Sequence, residues 1–269
     1  MKILIVGGGN MGMTYGKSFI NAHIVNHENL IILEKSAGKA EHLRQQNIGT
    51  AYGSPDDYIK TADLIVLAVK PQDFKALAPN IKEHIDEQQV ILSIMAGVKI
   101  KTISEALGAD KIIRAMPNLP AQIGSGMTVF NASAEVTRIE LVTVQNLINA
   151  TGKSIYVDDE VQIDAATAIS GSGPAYVFFF MNAIINTARN MGFNESEAEL
   201  LCYQTFKGTI NLFRKGELSC EEWIQKVASR GGTTEAALSS FQSTELIPSI
   251  SKGLHAALKR ANELSQLIA

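Results

Sequence analysis

Three glycines near the start of the chain have the spacing that brings backbone against a pyrophosphate. Gly7, Gly9 and Gly12 fit G-x-G-x-x-G within the run Gly7-Gly8-Gly9-Asn10-Met11-Gly12. In that pattern the first glycine makes a tight turn, the second lets backbone approach the phosphates, and the third lets helix and strand pack closely. Free N–H groups and the partial positive charge of a helix N-terminus then face the anion. A second stretch, Ser229-Arg230-Gly231-Gly232-Thr233-Thr234, places two glycines and two threonines ahead of a helix at Glu235. Successive backbone N–H groups there can hold a carboxylate, with the Thr233 and Thr234 hydroxyls as further donors. An interhelical loop with a threonine N-cap accounts for the same residues equally well. The five histidines, His23, His27, His42, His84 and His255, are scattered, and no metal-ligand spacing or G-x-S-x-G elbow is found. The hard chemistry is then expected to belong to the dinucleotide, with the protein supplying binding, orientation and electrostatics.

The elements around these residues must place them. Residues 2–6 are a short, β-branched apolar run that reads as a fully buried strand, followed by a helix over about 13–20. A second buried strand, 29–34, ends in Glu34, an acid placed to take a ribose 2′-hydroxyl and so to favour NADH. Lys35, Ser36 and Lys39 follow at once and suit a 2′-phosphate, so the balance leans to NADH with NADPH left open. A third strand, 62–69, runs into Lys70-Pro71-Gln72. Pro71 forces a turn at Lys70, which puts Ala68, Val69, Lys70 and Pro71 beside the ligand crevice beyond the strand ends. Further strands are expected at 89–97, 111–116, 126–130 and 154–157, alternating with helices at 40–46, 74–85, 100–107 and 135–149. That alternation predicts an α/β doubly wound parallel sheet covered on both faces. After about residue 158 no strand is expected. The reading is a domain over 1–158 and an all-helical domain over 159–269, with helices near 163–169, 175–191, 195–215, 220–228, 235–241 and 248–267. Gly171-Ser172-Gly173-Pro174 is read as an interruption. The helix at 175–191, with three consecutive phenylalanines at Phe178 to Phe180, is apolar on nearly all sides and calls for burial in an oligomer.

The chain of 269 residues is 46% hydrophobic and 19% charged, which suits a globular protein with a substantial core. A net charge of −3 gives no footprint for nucleic acid or an anionic membrane. Two cysteines, Cys202 and Cys220, form no disulfide framework and suggest a reducing, cytoplasmic compartment. The apolar stretch 175–185 is too short to span a bilayer, so no membrane partner is expected.

Five pieces in order carry a family resemblance: Gly7 to Gly12, Ala68-Val69-Lys70-Pro71-Gln72, Arg114-Ala115-Met116-Pro117-Asn118, Ser170 to Tyr176, and Ser229 to Thr234 running into Ala236-Ala237-Leu238. Together they resemble pyrroline-5-carboxylate reductase over essentially the whole chain. The resemblance implies an α/β Rossmann-type doubly wound sheet followed by an all-α C-terminal dimerisation domain. It implies NADPH or NADH as cofactor, held by Gly7, Gly9, Asn10, Met11, Gly12, Glu34, Lys35, Ser36, Ala68, Val69, Lys70, Pro71 and Asn118. It also implies an interlocked homodimer, often built into a ring of dimers, with a substrate pocket at the dimer interface between nicotinamide and the 229–234 loop. Ser229, Gly231, Gly232 and Thr233 would bind the carboxylate of pyrroline-5-carboxylate, and Thr234 would hydrogen-bond its ring nitrogen. A looser alignment places Glu217 at an acidic position on the substrate side. Hydride addition to a protonated cyclic imine needs positioning and a hydroxyl partner rather than a strong base.

The chain departs from the family pattern at Arg230, where proline is usual, at Leu119, where threonine is common, and at Asn182, often glutamate. Arg230 adds a charge beside the proposed carboxylate site. The same architecture admits two other readings. A β-hydroxyacid dehydrogenase of the same plan uses a catalytic lysine on the first helix of its helical domain, and residues 162–190 contain none. A dinucleotide sensor without turnover has no use for a carboxylate nest.

Overall fold

A computed structural model describes residues 1–268. By its contacts the chain forms two compact units: residues 1–174 together with the C-terminal segment from Ala257, and residues 175–256. The first unit is built on β1 (Ile3–Val6), β2 (Leu30–Leu33), β3 (Thr50–Tyr52), β4 (Leu64–Leu67), β5 (Val90–Ser93), β6 (Ile112–Met116), β7 (Gly126–Ala132) and β8 (Gly152–Tyr156). They form one sheet in the order β3-β2-β1-β4-β5-β6-β7-β8. The helices between them are α1 (Asn10–Asn21), α2 (Ala37–Gln45), α3 (Pro71–Lys82), α4 (Ile100–Leu107) and α5 (Arg138–Asn149).

Strand alternation sorts the core into two layers. Ile3 and Ile5 of β1 face a cluster with Tyr15, Phe19, Val144 and Leu147. Leu4 and Val6 face the other, with Phe74, Ile81, Ile103 and Leu107. Burying one such side chain contributes roughly 1.5–3 kcal/mol, so helices on both faces are what hold this sheet. All four residues of β1, β2, β4 and β5 are buried, as expected for parallel strands covered on both sides.

The strands differ from the sequence reading in two ways. β3 was not expected; it is a three-residue edge strand with only its middle residue buried. β7 runs antiparallel to β6, in register Ala115↔Phe130. The connection between them, residues 117–125, is nine residues long and contains only a short 3₁₀ turn at Leu119–Ile123. A parallel return needs a crossover of a dozen or more residues, so this link reverses the chain direction. β8 then pairs parallel with β7 after α5.

Beyond β8 lie α6 (Val161–Ala166), a π-helical turn at Thr167–Gly171, and α7 (Gly173–Asn190). The expected interruption at 171–174 is absent. Ser172 keeps right-handed helical angles (φ −84°, ψ −17°), and the extra residue is absorbed by the π turn. As one helical run, Val161–Asn190 is long and apolar enough to cross a bilayer. The length argument drawn from 175–185 alone therefore does not apply.

The second unit contains α7, α8 (Glu195–Lys215), α9 (Cys220–Val227), α10 (Thr233–Ser243) and part of α11 (Leu246–Ile268). α7 has no buried residue in the single chain, and Val177, Phe178, Phe179 and Ile184 are exposed on it. On α8, Leu200, Tyr203, Ile210 and Phe213 are exposed too. Apolar surface of this extent marks an interface.

Candidate functional site

The glycine turn between β1 and α1 has the geometry its spacing calls for. Gly7 has φ +109°, and an added Cβ would lie 2.9 Å from the carbonyl carbon and oxygen of Ala68. A Cβ on Gly12 would collide with the Gly7 carbonyl oxygen. Gly9 is different: nothing lies within 4 Å of where its Cβ would be. That is the open approach a pyrophosphate needs, between one glycine that turns the chain and one that lets α1 pack. Gly9 is the N-cap of α1 and no side chain caps the helix. Its first N–H groups, from Asn10 and Met11 onward, are free for an anion.

Glu34, just past β2, is 7% exposed and braces this turn. Its Oε2 accepts from Gly8 N–H at 3.1 Å and its Oε1 from Ser36 N–H at 2.8 Å. Both oxygens are thus engaged by backbone, which the sequence did not show. Lys35 and Lys39 line a cavity of about 490 Å³ together with Gly7, Gly9, Glu34 and Lys70. Asp73, in the first turn of α3, is part of the same wall and pairs with Lys35 at 3.1 Å. Ser36 is the N-cap of α2 and makes no side-chain cap bond. A carboxylate held back by amides, with two lysines and an uncapped serine in front, fits a dinucleotide with an anionic group on its adenosine ribose.

Ala68 N–H donates to Val6 O at 2.8 Å, which fixes the end of β4 against the glycine turn. Ala68, Val69 and Lys70 line the cavity. Lys70 is extended at ψ 142° and Pro71 opens α3. Asn118 is committed to its neighbours: its Oδ1 accepts from Met127 N–H at 2.8 Å and its Nδ2 donates to Ser170 O at 3.2 Å. It braces β7 and the π turn.

In the second unit, residues 229–232 form a tight turn closed by Gly232 N–H to Ser229 O at 2.9 Å. Gly231 sits at its third position with φ +72°, and a Cβ on Gly232 would lie 2.5 Å from Ser229 Oγ. Gly231 supplies the left-handed backbone angle, and Gly232 lets the Ser229 side chain approach closely. α10 starts at Thr233 with Gly232 as N-cap and no side-chain cap bond. The alternative reading, a threonine N-cap, is therefore not what forms here. The first backbone bond into the helix is Ala236 N–H to Gly232 O, so the N–H groups of Thr233 and Thr234 stand ahead of the ladder as donors. Gly231 N–H is used: it donates to Glu235 Oε2 at 2.6 Å. The sequence marks Glu235 only as the start of a helix and carries no signal of this bond. Glu217 is exposed between α8 and α9.

The pyrroline-5-carboxylate reductase dimerisation family matches residues 160–264. The family described as NADP oxidoreductase, coenzyme F420-dependent, matches residues 2–97. Pyrroline-5-carboxylate reductase of Staphylococcus saprophyticus is 32% identical over 267 residues, 98% of either chain. That of Pseudomonas aeruginosa is 36% identical over 209 residues, 77% of either chain. Among solved structures, Plasmodium falciparum pyrroline carboxylate reductase with NADP bound has a TM-score of 0.89 at 27% identity. The Coxiella burnetii pyrroline-5-carboxylate reductase has 0.88 at 33%, and each alignment covers 98% of both chains. Fold, glycine turn and these matches define an NAD(P)-binding Rossmann protein with a helical dimerisation domain. More narrowly, the chain belongs to the pyrroline-5-carboxylate reductase family.

Proposed function

We propose that this protein reduces 1-pyrroline-5-carboxylate to L-proline with NADPH as the preferred reductant, the final step of proline biosynthesis. The observation that carries the reading is the turn at 229–232, which leads into an uncapped helix with the Thr233 and Thr234 N–H groups unused. This is a carboxylate nest of a kind a dinucleotide sensor does not need. It sits in a chain similar over 98% of its length to a reductase of that imine acid.

The residues divide the work. The N–H groups of Gly231, Thr233 and Thr234 and the Ser229 hydroxyl hold the substrate carboxylate, the Gly231 N–H being taken by Glu235 until the substrate enters. The Thr234 hydroxyl accepts a hydrogen bond from the protonated ring nitrogen, which keeps the C=N bond electrophilic. Bound NADPH supplies the hydride for the imine carbon. The C=N π pair stays on nitrogen, which already carries its proton, and the product is the secondary amine. Gly9, Asn10 and Met11 hold the pyrophosphate through backbone N–H groups. Lys35, Ser36 and Lys39 hold the 2′-phosphate, while Glu34 fixes the loop between them. This reverses the lean to NADH drawn from Glu34 alone, because its two oxygens are engaged by backbone amides.

The minimal unit is a homodimer, supported by the exposed apolar faces of α7 and α8 and by the dimerisation-family match. It works in the cytoplasm, a reading supported by two free cysteines, which suit a reducing compartment. The test is loss of nicotinamide absorbance with pyrroline-5-carboxylate present, measured with NADPH and with NADH. Faster turnover with NADPH is expected; no turnover by folded protein that binds the dinucleotide overturns the reading. Sedimentation reads the assembly: a dimer mass gives the minimal unit, and a multiple of it the ring of dimers.

A further inference from the structure

The loop assigned above to the substrate carboxylate already holds one of its own. Glu235 Oε2 accepts from Gly231 N–H at 2.6 Å, short even for a charge-assisted bond. Glu235 is the third residue of α10, so its side chain reaches back over the turn whose N–H groups are the proposed ligand donors.

At three other helices of this chain an acid at the third position does something different. Thr137 with Glu140, Asn194 with Glu197 and Ser219 with Glu222 are reciprocal capping boxes. In each, the acid accepts from the cap residue's own N–H and the cap side chain returns the bond. At α10 the cap is Gly232, which has no side chain to return anything. The acid bonds instead to the residue before the cap, Gly231, held left-handed at φ +72°. Glu235 is therefore not completing a capping box. It occupies a donor of the nest.

We infer that Glu235 is a built-in competitor for the carboxylate nest, and that it sets substrate affinity by yielding the Gly231 N–H when the substrate carboxylate enters. The inference rests on the carboxylate-binding role proposed for this loop. One amide hydrogen cannot serve two carboxylates well, and two like charges at one turn repel. Removing the internal charge therefore favours the incoming one.

The experiment compares wild type with Glu235→Gln and Glu235→Ala in the full chain. It measures kcat and KM for pyrroline-5-carboxylate, and the Kd of L-proline by calorimetry with NADP⁺ present. KM and Kd are expected to fall roughly threefold or more in both variants, the scale of one competing hydrogen bond, and by more than kcat changes. A purely structural acid gives the opposite pattern: Glu235→Ala lowers the melting temperature with KM unchanged or raised, and Glu235→Gln restores wild-type values. That result overturns the inference. If wild type turns over the imine acid and neither variant lowers KM or Kd, the inference fails and the proposed function stands. If wild type shows no turnover yet both variants bind L-proline more tightly, the proposed reaction fails and the role of Glu235 stands. Should Glu235→Ala fail to fold, Glu235→Gln carries the comparison, since it keeps a neutral acceptor for the Gly231 amide.

Discussion

Arg114 and Asp164 form a buried ion pair, with the guanidinium donating to Asp164 Oδ1 at 2.6 Å. Arg114 is 1% exposed, and a second nitrogen donates to Glu160 Oε1 at 2.9 Å. That same oxygen accepts from Ile100 N–H at 2.9 Å. β6, the start of α6 and the first turn of α4 are thus tied by one charge cluster. Asp164→Ala leaves Arg114 buried and half-compensated, at a cost of about 3–5 kcal/mol. Chemical denaturation measures it; a loss below 1 kcal/mol would show that Glu160 alone satisfies the arginine.

Gly9 and Gly12 are expected to fail in different ways. Gly12→Ala drives a methyl group into the Gly7 carbonyl oxygen, so stability and dinucleotide binding fall together. Gly9→Ala has room for its methyl within the protein but fills the approach to the phosphates. It should keep the wild-type melting temperature and weaken NADPH binding by about tenfold or more. Equal melting losses in the two variants would refute the division of roles.

The Lys35–Asp73 pair is mostly exposed on the lysine side and worth little to stability, so Lys35 can exchange its partner for a phosphate. The double variant Lys35→Ala with Lys39→Ala should lose about tenfold in kcat/KM with NADPH and less than about twofold with NADH. Parallel losses with both cofactors would place the 2′-phosphate elsewhere.

Thr234→Ala should lower kcat/KM for the imine acid by about tenfold or more, the worth of one hydrogen bond of ~1.5 kcal/mol in the transition state. Serine at this position keeps the hydroxyl and should recover most of the rate. Unchanged kinetics in the alanine variant would remove Thr234 from the chemistry.

Arg230 occupies the second position of the 229–232 turn, before a glycine at φ +72°. That is the place in a type II turn where proline's fixed φ is favoured. Arg230→Pro should raise stability by roughly 0.4–1 kcal/mol through the unfolded chain. A drop in melting temperature would show that the arginine side chain or its N–H has a structural use.

Much of this was readable from residues alone, and the misses have physical causes. The β1 turn was legible because each glycine answers a separate steric demand. α8 was placed at its structural limits, Glu195–Lys215, because a long amphipathic helix starts at an asparagine cap and ends at Gly216. β3 escaped because three edge residues with one buried side chain carry too little pattern. The reversal at β7 was hidden in the length of a connection rather than in any residue. Glycine and proline at 171–174 suggested a break, yet a π turn accommodates them without leaving helical angles. In the sequence Glu34 reads as an acid at a strand end and Glu235 only as the start of a helix. Their backbone partners, Gly8 and Gly231, become visible only once the turns are closed.

The first unit is discontinuous: it leaves off at Pro174 and resumes at Ala257. At Gly97, a Cβ would lie 3.3 Å from the Ser265 backbone nitrogen, so the resumed segment rests against the loop after β5. On the ribosome, 82 residues (175–256) separate the two parts. At about 5–20 residues per second the sheet waits some 4–16 s for its last helical turns. Through that interval the Gly97 loop lacks the segment that rests against it. A stop codon within α11 would thus injure a domain whose strands were all made long before.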